Sequence, residues 1–285
     1  MDEPGTVEET AFAKINLALH VRHRRPDGYH ALETLFAFAA DGDRLTAAPA
    51  DGLELTVTGP FAAALAGDDP ADNLVLRAAV ALRDAFGVTA GAALRLDKRL
   101  PVASGIGGGS ADAAAALRAL AALWTLPADD PRLGEIAGRL GADVPACLAS
   151  RPVRGTARGD VLAPVDEAGL AGMPLLLANP RAPLSTAAVF AGWDGHDRGA
   201  LAEGDPLAAA LAGRNDLEPP ARALVPAIDA VLARLGEAAG VRLARMSGSG
   251  ATCFALFGTT AECAAAARSI ADRQPGWWLL ETRLR

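Results

Sequence analysis

The sequence predicts a mixed α/β (α+β) fold with enough chain for two domains. Three features predict it. Residues 11–21 carry an apolar side chain at every second position, the period of a strand. Residues 101–112 form a glycine-rich loop that runs directly into an Ala/Leu helix. From residue 174 onward the pattern reads strand, helix, strand, strand, helix, strand. At 285 residues and 51% hydrophobic, the chain can bury one large or two modest cores. Aromatic residues make up only 5%, so Ala, Leu and Val must fill those cores.

In the first element, Ala11, Ala13, Ile15, Leu17, Leu19 and Val21 share one face, as in a half-buried strand. Lys14 and Asn16 therefore point together to the other face. Residues 22–30 are a polar turn around Pro26-Asp27-Gly28. Strand-like segments follow at 32–40, 43–47 and 53–58. Asn73 is placed to cap a helix over 74–86 that Gly87 closes. A strand over 91–100 leads to the glycine loop, and the helix behind it covers 113–123. A short helix over 133–140 stops at Gly141. Residues 151–160, rich in Arg, Gly and Pro, read as a domain crossover.

Beyond the crossover come a strand at 174–178, helices at 185–193, 207–211 and 219–235, and strands at 241–246 and 252–257. A helix at 260–273 and a strand at 277–283 complete the chain. The strand–helix–strand–strand–helix–strand order is that of a split βαβ, ferredoxin-like layer.

Composition narrows the partners. The formal charge is −7 and no long basic run exists, which argues against nucleic acid or an anionic membrane as main partner. The start, Met1-Asp2-Glu3-Pro4-Gly5, is acidic and polar, unlike a signal peptide. No unbroken apolar run has transmembrane length. Cys147, Cys253 and Cys263 are odd in number and lack disulfide or metal spacing, so a reducing cytoplasm is expected.

The loop Pro101-Val102-Ala103-Ser104-Gly105-Ile106-Gly107-Gly108-Gly109-Ser110-Ala111-Asp112 carries the chemistry most plainly. Glycines let the backbone approach a ligand closely, and a helix start offers unpaired N–H groups and a positive dipole end. Together they make an anion site whose usual occupant is phosphate. No Lys follows the glycines as in a Walker loop, Ser110 breaks the Rossmann spacing, and no protein-kinase element is present.

Other residues join it. Lys14 and Lys98 are the only lysines among 27 basic residues, which suggests positions where a compact ammonium is required. For Lys14 the competing reading is a snorkelling surface lysine. Asp143, between Gly141 and Pro145, either caps the next helix or is a reacting carboxylate. Its flanks are apolar, so as an ion it needs a cation, and Lys14 is the natural candidate. Ser247-Gly248-Ser249-Gly250 is either a plain hairpin turn or a second anion nest. Tyr29, the sole tyrosine, and His30 follow the 26–28 turn. His20, His23 and His196 read as structural.

These pieces, in this order, resemble the GHMP kinase superfamily. The matching segments are Ala13–Leu17 with Arg25–His30, Lys98–Asp112, Gly141–Pro145, Asn179-Pro180 with Ser185-Thr186 and Phe190, Arg214–Glu218, and 246–254. The Pro-Asp-Gly-Tyr-His segment is most similar to the branch of the non-mevalonate isoprenoid route, whose acceptor is a methylerythritol bearing a cytidine diphosphate group. The resemblance implies two α/β domains, 1–155 on the ATP side and 156–285 on the substrate side, with a cleft between them. It implies phosphoryl transfer from ATP, with Mg2+, to a hydroxyl.

By the same resemblance, Asp143 takes or orients the hydroxyl proton, and Lys14 keeps it ionised and offsets charge on the moving phosphoryl group. ATP is implied at Lys98, Pro101, Val102, Ala103, Ser104, Gly105, Ile106, Gly107, Gly108, Gly109 and Ser110. Ser110 is left as the hydroxyl for phosphate or magnesium, since Ala111 replaces a frequent second Ser. The substrate is implied at Asn16, Asp143, Thr186, Ser247, Gly248, Ser249 and Gly250, with Tyr29 and Phe190 on either side of the cytosine and His30 at its edge. The alternatives are a GHMP kinase for another small alcohol, such as homoserine or mevalonate, and an inactive ligand-sensing regulator.

Overall fold

The computed structural model describes residues 5–67 and 69–285; the acidic start at 1–4 lies outside them. In chain order the elements are strands β1 (Val7–Arg24), β2 (His30–Ala50) and β3 (Leu53–Thr58), helix α1 (Leu74–Phe86), strand β4 (Gly91–Asp97), and helices α2 (Gly108–Leu123), α3 (Pro131–Leu140) and α4 (Val144–Ala149). Strands β5 (Val153–Thr156), β6 (Val161–Pro164) and β7 (Pro174–Asn179) follow, then helices α5 (Thr186–Ala191), α6 (Pro206–Ala212), α7 (Glu218–Leu224) and α8 (Ala227–Gly236). The chain closes with β8 (Val241–Met246), β9 (Cys253–Phe257), α9 (Thr260–Arg273) and β10 (Trp278–Arg283). The chain forms two compact units, and it passes between them within β1, within β2, at both ends of the 103–106 stretch of the glycine loop, and between Ser150 and Arg151.

Of the described residues, the first unit holds those within 5–13, 41–102 and 107–150. The end of β2 pairs antiparallel with β4, and β3 pairs parallel with β4 through the α1 crossover. Helix α1 begins and ends where local chemistry dictates. Asn73 accepts from the Val75 N–H at 2.9 Å, and Gly87 closes the helix in the left-handed region at φ 64°. Helix α2 is buried over Ala111–Leu117 and Ala119–Ala121 and contacts α1, α3 and α4.

The second unit holds residues 14–40, 103–106 and 151–285. Here β5 pairs antiparallel with β2 and with β6, and the expected crossover at 151–160 opens where the chain enters this unit, at Arg151. The C-terminal layer is a four-stranded antiparallel sheet in the order β10-β7-β9-β8, the split βαβ topology that the element order predicts. Its core gathers Leu176, Ala255 and Phe257 of the sheet with Ile228, Val231 and Leu235 of α8 and Ile270 of α9. The single helix expected over 219–235 is broken into α7 and α8, because Pro226 cannot continue the first helix.

Candidate active site

In the second unit, Lys14 and Asn16 share one face of β1, but that face is no surface: the residues are 3% and 2% exposed. The half-buried strand and the snorkelling lysine are both overturned. Residues 13–21 are all buried, because β2 and the 247–250 turn cover the face that carries Lys14 and Asn16. The Lys14 ammonium donates to Asn16 Oδ1 at 2.9 Å and lies 5.1 Å from the centre of the Phe36 ring. Asn16 Nδ2 donates to Thr34 Oγ1 at 2.8 Å, and the Thr34 hydroxyl donates to the Ala18 carbonyl at 2.7 Å.

Residues 103–106 of the glycine loop join this strand and the 247–250 turn in one hydrogen-bonded cluster. The Ile106 carbonyl accepts from the Lys14 N–H, and the Ser104 carbonyl accepts from the Thr252 N–H. The Ser247 hydroxyl donates to the Gly105 carbonyl at 3.0 Å and accepts from the Asn16 N–H at 3.2 Å. Gly105 has φ +79°, and a Cβ there would lie 2.4 Å from the Ser247 carbonyl oxygen, so only glycine fits. The Thr186 and Ser249 hydroxyls are bonded at 2.9 Å.

Two side chains of the 214–218 segment brace this turn. Asn215 Nδ2 donates to the Met246 and Gly248 carbonyls, both at 2.8 Å, and Glu218 Oε2 accepts from the Met246 N–H. From β7, Asn179 Nδ2 donates to Thr252 Oγ1 at 2.8 Å. Sequence reasoning placed Asn215 and Thr252 inside matching segments without a role and missed Thr34.

The same unit carries a ring cluster. Tyr29, at the tip of the β1–β2 turn, is 54% exposed. The Arg158 guanidinium, held by Asp160 at 2.6 and 2.8 Å, lies 5.1 Å from the centre of its ring. His30 is buried, with the Phe190 ring tilted against it at 5.0 Å and the Trp193 ring edge-on at 5.6 Å. Burial, helped by the nearby Arg24 cation, holds the His30 imidazole below its ordinary pKa and favours the neutral ring. Arg158 and Trp193 carry no sequence signal that singles them out.

In the first unit, α2 starts at Gly108, five residues earlier than expected, with Gly107 in the left-handed region as its cap. Gly108, Gly109 and Ser110 are therefore helical, and the Ala111 N–H makes the bond to the Gly107 carbonyl. First-turn N–H groups have no acceptor within a helix, and here they lie at an exposed or partly exposed backbone. That is the chemistry an anion requires. Pro101 is buried and Val102 exposed.

Lys98 is fully buried, and its ammonium bonds Asp43 at 2.5 Å and Asp112 at 2.6 Å. The second oxygen of Asp43 accepts from the N–H groups of Arg99 and Leu100. A Cβ on Gly108 would lie 3.1 Å from Lys98 Nζ, so this triad sits directly against the helix start. Burial, with the Asp43 carboxylate adding to it, pushes Asp112 up to about 8 against the opposing pull of Lys98. Burial also works against the Lys98 charge, but the two carboxylates outweigh it and hold its pKa above the ordinary value. Asp143 occupies the N-cap position of α4 in a helical conformation, φ −85° and ψ −17°, and its side chain makes no capping hydrogen bond. The capping alternative is thereby overturned.

The family described as GHMP kinases N terminal domain matches residues 73–151, and that described as GHMP kinases C terminal matches residues 196–275. A 4-diphosphocytidyl-2-C-methyl-D-erythritol kinase of Rhizorhabdus wittichii is 61% identical over 277 residues, covering 97% of this chain and 94% of that protein. One of Sphingopyxis alaskensis is 52% identical, covering 99% of each. A crystal structure of 4-(cytidine 5'-diphospho)-2C-methyl-D-erythritol kinase superposes with a TM-score of 0.78 at 33% identity, covering 98% of this chain and 99% of that one. Homoserine kinase from Cytophaga hutchinsonii shares the fold, with a TM-score of 0.71 at 17% identity over 99% of this chain and 97% of that one.

Proposed function

The chain belongs to the GHMP kinases, among their 4-diphosphocytidyl-2-C-methyl-D-erythritol kinase members, and we propose on that footing that it performs their reaction. It transfers a phosphoryl group from ATP to the tertiary 2-hydroxyl of 4-diphosphocytidyl-2-C-methyl-D-erythritol, giving the 2-phosphate and ADP. The observation that carries this substrate over homoserine or mevalonate is the buried His30, closed in by Phe190 and Trp193 next to the exposed Tyr29. A small aliphatic acceptor needs no such ring site, whereas a cytosine does.

Phosphoryl transfer asks a protein for positioning and charge stabilisation more than for covalent chemistry. The backbone N–H groups of Gly108, Gly109 and Ser110 receive the phosphates, and Gly105 to Gly107 shape the approach to them. Lys98, committed to Asp43 and Asp112, acts by setting the start of α2. Asp143, whose side chain makes no capping hydrogen bond, accepts the proton of the attacking hydroxyl. Lys14 offsets the charge developing on the phosphoryl group.

Asn16, whose amide is aimed by Lys14 and Thr34 and keeps a second acceptor position and a second N–H, holds the polyol. Thr186 and Ser247 to Gly250 form the substrate side, and Tyr29 and Phe190 hold the base. Magnesium, which neutralises phosphate charge when bound, fits at the partly exposed Ser110 hydroxyl beside the helix start. The three cysteines are free and buried, which suits the reducing cytoplasm to which we assign the protein. Among the described residues no helix is long and apolar enough to cross a membrane.

A coupled ADP-release assay with the cytidylyl substrate, homoserine and mevalonate tests the reading. Turnover confined to the first supports it. Turnover with another alcohol, or with none, removes it.

A further inference from the structure

Among the described residues, three buried side-chain polar atoms have no hydrogen-bond partner: His30 Nε2, Trp193 Nε1 and Asp112 Oδ1. Two of the three belong to rings that touch each other, with centroids 5.6 Å apart and planes at 87°. Buried polar atoms are nearly always paired, and leaving one unpaired costs free energy. Two orphans in one contact therefore mark a place where a ligand brings the partners. Trp193 lies just beyond α5, and its backbone N–H bonds the Phe190 carbonyl at 3.2 Å. The indole is thus carried on the same turn that presents Phe190 to His30.

An indole nitrogen is a donor only, while a neutral imidazole nitrogen takes either role according to its tautomer. The Watson–Crick edge of cytosine offers ring acceptors beside an exocyclic amine donor. We propose that Trp193 is a specificity-determining residue of the base site, its indole N–H donating to an acceptor on the cytosine edge while His30 Nε2 meets a neighbouring position. This rests on the reading above that the cytidine diphosphate group binds at Tyr29, His30 and Phe190, and it adds a fourth residue that stacking alone does not require.

The test uses the full chain and the variant Trp193→Phe, which keeps an apolar ring and removes the N–H. The variant raises the KM for the cytidylyl substrate about 10-fold, the worth of one hydrogen bond to a buried partner. Its kcat and its KM for ATP stay at the wild-type values. In 15N-labelled wild-type protein the Trp193 indole signal, identified by its loss in the variant, moves on titration with cytidine 5′-diphosphate. Should the variant not fold, replacing Trp124, Trp277 and Trp278 by Phe in turn identifies the same signal by elimination, and the wild-type titration decides.

A KM within two-fold of wild type overturns the proposal, as does an indole signal unmoved by saturating cytidine 5′-diphosphate. Tyr29→Ala and His30→Ala, run in the same assay, separate the two levels. If they raise KM and Trp193→Phe does not, the base site stands and the role of Trp193 falls. If none of the three moves KM, the base-site reading falls and takes this inference with it.

Discussion

The Lys14 ammonium donates a 2.9 Å hydrogen bond to the side-chain oxygen of Asn16, two residues along the same buried strand face. Strand geometry makes the meeting possible, because residues i and i+2 project to one side. The Asn16 amide is fixed in turn by Thr34, so two uncharged side chains set the direction of a buried ammonium.

Lys14→Arg therefore fails even though arginine is used almost everywhere else in the chain. A planar guanidinium cannot reproduce the compact point charge that donates to Asn16 and lies over the Phe36 ring. A kcat lowered by about 10²–10³-fold is expected, the range seen when a group stabilising transition-state charge is lost. Steady-state kinetics check this, and activity within a few-fold of wild type means that the lysine is structural.

Tyr29→Ala and Phe190→Ala each raise the KM for the cytidylyl substrate by about 10–100-fold, from a stacking energy of roughly 1–3 kcal/mol per base. The KM for ATP stays unchanged. An effect on ATP alone makes these rings core packing.

Gly108→Val weakens nucleotide binding by at least about 10-fold in a folded protein, comparable to the loss of one charge-assisted hydrogen bond. The new Cβ meets Lys98 Nζ at 3.1 Å, and that ammonium cannot move aside because Asp43 and Asp112 hold it. Calorimetry with a non-hydrolysable ATP analogue reads the effect, and unchanged affinity contradicts the phosphate role of the helix start.

Asp112 gives a pH signature. Its pKa rises from an ordinary 3.8 to about 8 on folding. Below the ordinary value the carboxyl is protonated in both states and its contribution to stability is complete. As pH climbs toward about 8, the unfolded state ionises first, so the contribution is lost. Denaturant midpoints of wild type and Asp112→Asn at pH 5 and pH 8 check this. Wild type loses stability relative to the variant between the two, and a constant difference contradicts the shifted carboxyl.

Local signals made parts of this fold legible. The cap Asn73 and stop Gly87 placed α1 at its observed bounds, and the strand β8 and the helix α9 also fall where their periodicity puts them. Long-range contacts defeated the reading elsewhere. The strand segments expected at 32–40 and 43–47 are one strand, since β2 runs straight through the break between them. A Cβ on Gly42 would lie 1.9 Å from the Ala11 carbonyl oxygen, so the glycine serves a close strand approach, and Asp43 is buried on Lys98. In the site, the glycines, Lys14 and His30 announce themselves by type and spacing. Thr34 and Trp193 act through partners far along the chain or through ring packing, which no local pattern encodes, and the role of Asn215 emerges from its bonds to Met246 and Gly248.

The central claim is the transfer itself, and 31P NMR of a mixture of the protein, MgATP and 4-diphosphocytidyl-2-C-methyl-D-erythritol tests it most directly. The account predicts a new phosphomonoester signal growing in step with ADP while the cytidylyl diphosphate signals stay intact, and no such signal from Asp143→Asn on the same timescale. ADP formed without a new monoester, or a monoester formed equally well by Asp143→Asn, contradicts it.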